Sequence, residues 1–352
     1  NRSKQGNFMN RCHFIDAARG AAIVPMVINH TGHAFLAVTF GASANNLFYL
    51  TETTAAPLFL FIAGFSLTLS WARAATTNRK RLPWIISNIL RAVFLFALGY
   101  FLNLLLFPGQ LQFLTGPLQT IGLATLVLIP VMPLFAKRWA RYFLAIAACV
   151  SYGIFLWYAN ALTHFILFHQ AWGGMLFFSL PPWPWLAMVV LGAASGGSWC
   201  AATTARAQLH LLNVAARWGG LLVLVGLVGY LQLDWHDYSF FFSDYTTWLP
   251  GLGTALWMTG IIPLVLLVAY HLQEWEKLPL WLLNFGRNAL LIYAIHRLFI
   301  VAIMQNLFHF ELGSISGFIV VNLALLFVLN ELARLVNQLR ALRVSHAQTD
   351  GV

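Results

Sequence analysis

Long apolar runs separated by short polar stretches dominate this chain. They fall near 14–38, 47–72, 82–107, 113–135, 139–161, 182–201, 214–232, 251–271, 279–304 and 314–338. Each is close to the 17–25 residues, roughly, that a helix needs to cross the hydrocarbon core of a bilayer. Lipid offers no partner to an unpaired backbone group, so runs of this kind cross as helices. The pattern predicts an all-α integral membrane protein, a bundle of ten transmembrane helices. It becomes eleven if HFILFHQAWGGM, within 162–181, adds a short one. No linker, repeat or polar block interrupts the series, so residues 1–352 read as a single polytopic membrane domain. PPWPW at 181–185 suits an interfacial helix start, with prolines in the first turn and tryptophans at the headgroups. Small-residue clusters, Gly192–Gly197 and Gly226 with Gly229, predict close helix contacts.

Composition strengthens this picture. The chain is 60% hydrophobic and 9% charged, with a mean hydropathy of +0.75, too few charges to cover a soluble surface. A net charge of +10 would ordinarily point to an anionic partner, but its placement argues for orientation in the membrane. Arg2, Lys4 and Arg11 precede the first helix, and Arg73, Arg79, Lys80 and Arg81 follow the second. Lys137, Arg138 and Arg141 follow the fourth, Arg206 and Arg217 the sixth, Lys277 the eighth, and Arg340 and Arg343 the tenth. The alternate loops, near 39–46, 108–112, 162–181, 233–250 and 305–313, contain neither Lys nor Arg. This alternation predicts cytoplasmic termini, and the reading is of a bacterial cytoplasmic membrane. The bilayer is thus the first partner, and no polar domain is present to bind nucleic acid. Cys12, Cys149 and Cys200 are too scattered for a metal or disulfide framework and read as packing thiols. No cleavable signal peptide is expected, because the first ten residues are polar and the first apolar run outlasts a short h-region.

Polar groups inside apolar runs are the candidates for chemistry. Arg19 and His30 lie eleven residues apart in the first run, on one helical face and roughly 16 Å apart along the axis. Asp16 precedes Arg19 by three and can pair with it. Ionisable side chains at such depth are costly, so they face a protein interior or a wet cavity and mark a functional site. With this orientation Arg19 lies near the inner leaflet and His30 in the outer half. A neutral imidazole can serve as a general base or as a nucleophile that carries an acyl group. His33, one turn further, reads as an outer-surface residue. Glu52 reaches a depth similar to His30, where it could orient its imidazole or simply sit near the headgroups. The second helix ends in FIAGFSLTLSWARAATTNRKR. Its Arg79, Lys80 and Arg81 would anchor topology or meet the phosphates of a nucleotide-type donor.

Two further stretches are polar for their setting. PLQTIGLATL places Gln119 in the fourth helix. FGRNALLIYAIH opens the ninth with Arg287 and Asn288, and carries His296 about 12 Å deeper, on the face of Tyr293. Each alone also fits interhelical hydrogen-bonding glue. Asp234, Asp237, Asp244 and Glu311 sit on outer loops, as solvated acids or as contacts for an amino or sugar acceptor.

At these residues the chain resembles a known family. FIDAARGAAIVPMVINH is similar to the first-helix signature of the transmembrane acyltransferase superfamily, D-x-x-R-G and then a His ten intervening residues after the Arg. FLFIAGFSL, PLQTIGLATL and FGRNALLIYAIH resemble later motifs of its heparan-α-glucosaminide N-acetyltransferase-like branch. These blocks fall in helices one, two, four and nine, so the resemblance covers most of the chain with gaps. It implies transfer of an acyl group, acetyl by preference, from cytoplasmic acyl-CoA to an acceptor sugar on the outer side. Acyl-CoA would be the donor substrate, with no metal. The expected catalytic residues are His30, Glu52 and Asp16. Arg19, Arg79, Lys80, Arg81 and Arg287 would hold the donor, with a structural role as the alternative for Arg19. Gln119, Asn288, Tyr293 and His296 would line the acceptor side of the core.

A rival reading is a non-catalytic membrane subunit of a larger complex or homo-oligomer. The chain has eleven His, fourteen Trp and twenty-nine Phe, and intramembrane His can ligate haem or a chlorophyll-like pigment. Haem ligation by His30 and His296 requires that they face each other at matching depth. A transporter is a third reading, but no repeat or paired broken helix supports it.

Overall fold

The computed structural model describes residues 12–35, 42–76, 81–106, 115–158, 182–233, 238–242, 245–249 and 251–349. Its helices are α1 (His13–Phe35), α2 (Ala42–Thr76), α3 (Arg81–Leu106), α4 (Pro117–Leu128), α5 (Arg138–Trp157), α6 (Pro182–Ala201) and α7 (Ala205–Gln232). They continue with α8 (Leu252–Glu274), α9 (Leu280–Arg287), α10 (Ala289–Arg297) and α11 (Ile315–Thr349). A 3-10 stretch, Ile129–Ala136, extends α4, and a π-helical stretch, Leu298–Gln305, extends α10. The protein is an all-α membrane bundle, and each of the ten predicted segments coincides with helix.

Among the described residues seven helices are long and apolar enough to cross a membrane, and the bent pair α9 with α10 makes an eighth. The first helix is not among them. Asp16, Arg19, Asn29 and His30 dilute its apolar character. The possible eleventh helix within 162–181 lies outside the described residues. The 233–250 stretch was expected to be a loop, yet it contains an antiparallel hairpin, β1 (Tyr238–Phe242) with β2 (Tyr245–Leu249), Phe242 opposite Tyr245. Aromatic and β-branched residues in YSFFF and YTTWL favour that extended pairing.

The chain divides into two compact units. The larger comprises the described residues of 56–267. Here small residues let backbones touch. A side chain at Gly64 would strike the backbone of Val189 and one at Gly192 that of Phe61, so α2 and α6 interlock reciprocally. Gly219 of α7 and Gly260 of α8 face each other's carbonyls in the same way, and Gly226 meets Gly253. The predicted glycine clusters therefore do pack helices. Pro130 and Pro133 cannot donate to an α-helical ladder, and the fourth predicted helix tightens there into its 3-10 stretch. Arg141 is buried and donates to the carbonyls of Phe135 and Ala136 at 3.1 and 3.2 Å, closing the end of that stretch.

The smaller unit comprises the described residues of 12–55 and 268–349. In it α1 packs on α9, α10 and α11. The closest approach is again reciprocal. Gly20 abuts the backbone of Leu282, and Gly286 abuts the backbone of Asp16. The ninth predicted helix is not continuous: α9 and α10 meet at Asn288 with a bend of 80°. The cause is local. The Asn288 backbone leaves helical geometry at φ −115 and ψ 21, while its side-chain amide donates to the carbonyl of Asn284 at 3.0 Å. A short amide side chain of this kind competes with the helical ladder for backbone partners.

Candidate functional site

Polar side chains of α1 form two centres in the smaller unit. The lower one surrounds Arg19. Its Nη1 donates to Asp16 Oδ1 at 3.2 Å and lies 3.4 Å from the carbonyl oxygen of Gly286. Asp16 is buried, and the i,i+3 spacing brings its counter-charge to the point where α1 meets α9. The amide of Phe14, one of the unpaired donors at the start of α1, reaches Gln273 Oε1 at 2.7 Å. Arg287 Nη2 donates to His13 Nδ1 at 3.3 Å, and its Nε is buried with no partner among the described residues.

The upper centre lies eleven residues on, roughly 16 Å along the helix. Nδ1 of His30 is 2.8 Å from Nε2 of His296 on α10. The ring centroids are 5.0 Å apart and the planes inclined by 26°. A nitrogen separation of 2.8 Å is shorter than the face-to-face gap of about 3.5 Å, so the rings meet at their edges in a hydrogen bond. His296 is fully buried, at 0% exposure, and its Nδ1 lies 2.7 Å from the carbonyl oxygen of Ile292. Tyr293 sets its ring edge-on to His296, with centroids 5.7 Å apart. On the same helix as His30, Asn29 is buried and its Oδ1 has no partner among the described residues. The Thr31 hydroxyl donates to Asn322 Oδ1 on α11 at 2.7 Å.

A ladder of amides holds the bend between α9 and α10 against α11. Asn288 Nδ2 donates to Asn337 Oδ1 at 3.0 Å and to the Ala333 carbonyl at 3.3 Å. Asn337 donates to Asn284 Oδ1 at 3.1 Å, and Asn284 to Asn330 Oδ1 at 3.3 Å. The Oδ1 of Asn288 is itself buried without a partner among the described residues. Asn288 is 2% exposed, so this polar junction sits inside the helix cluster.

The smaller unit therefore contains Asp16, Arg19, His30, Arg287, Asn288, Tyr293 and His296 from the expected set. Asp16 and His30 occupy opposite ends of α1, about 21 Å apart by helical rise, so they cannot address the same atom. Gln119 belongs to the larger unit, where its Oε1 accepts from the Gly116 amide at 3.0 Å and its side chain lies against Gly99. That is a helix-capping position. Arg81, also in the larger unit, is exposed, with its guanidinium 5.7 Å from the centre of the Trp71 ring. Arg79 and Lys80, and the outer-loop acids Asp234, Asp237 and Asp244, lie outside the described residues, as does the side chain of Glu52.

Asn29, Thr31, Gln273, Asn284, Asn322, Asn330 and Asn337 were missed by sequence reasoning. A signal existed for three of them. Asn322, Asn330 and Asn337 recur at intervals of eight and seven along one helix, which places them on one face. Among the described residues no group of three or more His, Cys, Asp or Glu is placed to hold a metal ion. His30 and His296 do face each other from different helices, as haem ligation would need. Two nitrogens across a metal stand about 4 Å apart, at roughly 2.0–2.1 Å per bond, whereas these bond each other directly.

Fold and site together define a multi-pass membrane protein with a deep imidazole pair and a polar helix junction. The family model described as heparan-alpha-glucosaminide N-acetyltransferase, catalytic, matches residues 11–233, more than half of the chain, and the chain belongs to that family. It is accordingly a membrane protein of the N-acetyltransferase type. No curated protein matches the chain. The matched stretch runs from α1 to the end of α7, so it includes His30 and stops before His296.

Proposed function

We propose that this protein transfers an acetyl group from acetyl-CoA, bound from the cytoplasmic side, to an amino or hydroxyl group of a sugar on the outer side. The observation that carries this reading is His30, an imidazole on the first helix of an acetyltransferase-family chain, bonded to a second imidazole. The family's name supplies the acceptor class, an α-glucosaminide. The alternation of basic residues along the chain supports the orientation.

In this reading His30 handles the proton of the acceptor. The acceptor's nitrogen or oxygen bonds to the acyl carbonyl carbon as His30 takes its proton, and the carbon–sulfur bond breaks. The departing CoA thiolate then recovers that proton from His30, so acetyl-CoA and acceptor become acetylated acceptor and free CoA. Asp16 and Arg19 serve α1 structurally, as each other's counter-charge where α9 docks. Donor phosphates fall to Arg79, Lys80 and Arg81 near the inner end of α2, where guanidinium and ammonium contacts are charge-assisted. Asn288, Tyr293 and His296 shape the core around His30.

The test uses the full chain in proteoliposomes, with radiolabelled acetyl-CoA supplied on the face bearing the termini and glucosamine on the other. Acetylglucosamine should accumulate only on the glucosamine side. No transfer to glucosamine or to an α-glucosaminide, despite saturable acetyl-CoA binding, would overturn the proposed acceptor class. Absence of acetyl-CoA binding would overturn the donor.

A further inference from the structure

We infer that His296 is a positioning residue that fixes the tautomer of His30, so that Nε2 of His30 is the nitrogen that meets the substrate. The inference rests on the proposed role of His30 and deepens it. It follows from a chain of three groups in which only one end has a fixed hydrogen-bonding sense. The carbonyl oxygen of Ile292 can only accept, so His296 Nδ1, at 2.7 Å, carries the hydrogen and donates it. A neutral imidazole has one N–H, which leaves the Nε2 of His296 with a bare lone pair. That lone pair faces Nδ1 of His30 at 2.8 Å. Two bare nitrogens at this distance would repel, so His30 Nδ1 carries its hydrogen and donates to His296. The second nitrogen of His30, Nε2, is then the basic one, and no partner within the described residues occupies it.

The arrangement resembles the use of a carboxylate to orient a catalytic imidazole, with a second imidazole in the carboxylate's place. As Nε2 of His30 takes a proton from the acceptor, the positive charge spreads over the ring. The Nδ1–H bond to His296 then becomes charge-assisted, which helps at the moment the charge forms. A neutral orienting group also spares the membrane interior a permanent anion. The backbone around His296 is built to hold it still. It lies on α10, a nine-residue helix between the amide-locked bend at Asn288 and the π-helical stretch that begins at Leu298. π-helical turns are commonly retained at functional sites. Full burial of His296 and the Tyr293 ring leave its imidazole little room to turn.

The direct test is nitrogen NMR of the wild-type protein labelled with ¹⁵N-histidine, which distinguishes a hydrogen-bearing imidazole nitrogen from a bare one. His30 signals are assigned by their loss in His30→Asn. The expected result is hydrogen on Nδ1 and a bare Nε2 in both His30 and His296. Hydrogen on Nε2 of His30, or on both nitrogens of His296 at neutral pH, would overturn the positioning role. A kinetic arm uses acetyl-CoA and glucosamine. His296→Leu should lower kcat by roughly 10²–10⁴-fold with the acetyl-CoA KM unchanged, the loss expected when a general base is disabled. His296→Gln, whose carboxamide oxygen can stand near the position of Nε2, should recover much of it. Unchanged kcat in His296→Leu, while His30→Asn is inactive, would refute the inference and leave the catalytic role of His30 standing. Full activity in His30→Asn would instead defeat the underlying reading.

Discussion

Asp16 and Arg19 were legible from the sequence as an i,i+3 pair, and they are one: the bond is 3.2 Å, with Asp16 buried and the Arg19 side chain 24% exposed. Its partial exposure lowers its worth relative to a fully buried pair, yet removing one partner strands the other at a helix contact. Asp16→Asn keeps the shape and loses the charge, so it should destabilise the protein by about 1–2 kcal/mol, and Arg19→Ala by about 1–3 kcal/mol. Thermal unfolding in detergent checks both. Unchanged melting with lost acetyl-CoA binding in Arg19→Ala would return this arginine to the donor site. The His30–His296 contact could not be read in the same way. Its partners are 266 residues apart, and their meeting depends on how α10 turns after Asn288. Local spacing fixes which residues share a helical face, but it does not say which face of a distant helix will meet them.

At the scale of elements, two motif glycines acquire a physical meaning. Gly20, within the D-x-x-R-G opening, and Gly286, within FGRNALLIYAIH, are the points where α1 and α9 touch backbone to backbone. A side chain at either has nowhere to go, because what it meets is main chain. Gly20→Val and Gly286→Val should each cost about 1–3 kcal/mol or more through overpacking, and should disturb both polar centres of α1. Gly153 and Gly220 are the controls. A side chain there meets nothing within 4 Å, and Ala at a helical Gly position should leave stability unchanged or raise it by up to about 1 kcal/mol. Equal melting temperatures across all four variants would contradict the docking role of the motif glycines. Hydrophobic length located every predicted helix, since lipid imposes that pattern on any spanning segment. It did not reveal the bend at Asn288 or the hairpin at 238–249. Those depend on where an amide side chain finds its partners and on which residues tolerate extended backbone, and apolar length carries neither.

Among the described residues many large apolar side chains are exposed, while a smaller set of polar groups is buried. The α7 and α11 spans bury only 22% of their apolar windows, which suits faces turned to lipid. Orientation rests on the alternating basic residues, and cysteine labelling measures it. In a background lacking Cys12, Cys149 and Cys200, cysteines placed at 39–46 and 233–250 should react with an impermeant reagent from outside intact cells. Those at 76–80 and 137–141 should not, and the opposite pattern would invert the protein and the proposed direction of transfer. Family membership was legible in the motifs because they carry residues that a membrane helix otherwise avoids. The central claim is that His30 moves the proton in acetyl transfer. Its most direct test is single-turnover transfer from acetyl-CoA by purified His30→Asn, measured beside its melting temperature and acetyl-CoA affinity. Asparagine can still hydrogen-bond but cannot take up a proton near neutral pH. The account predicts a rate lower by roughly 10²–10⁴-fold or more with folding and donor binding intact. Wild-type transfer by His30→Asn would contradict it.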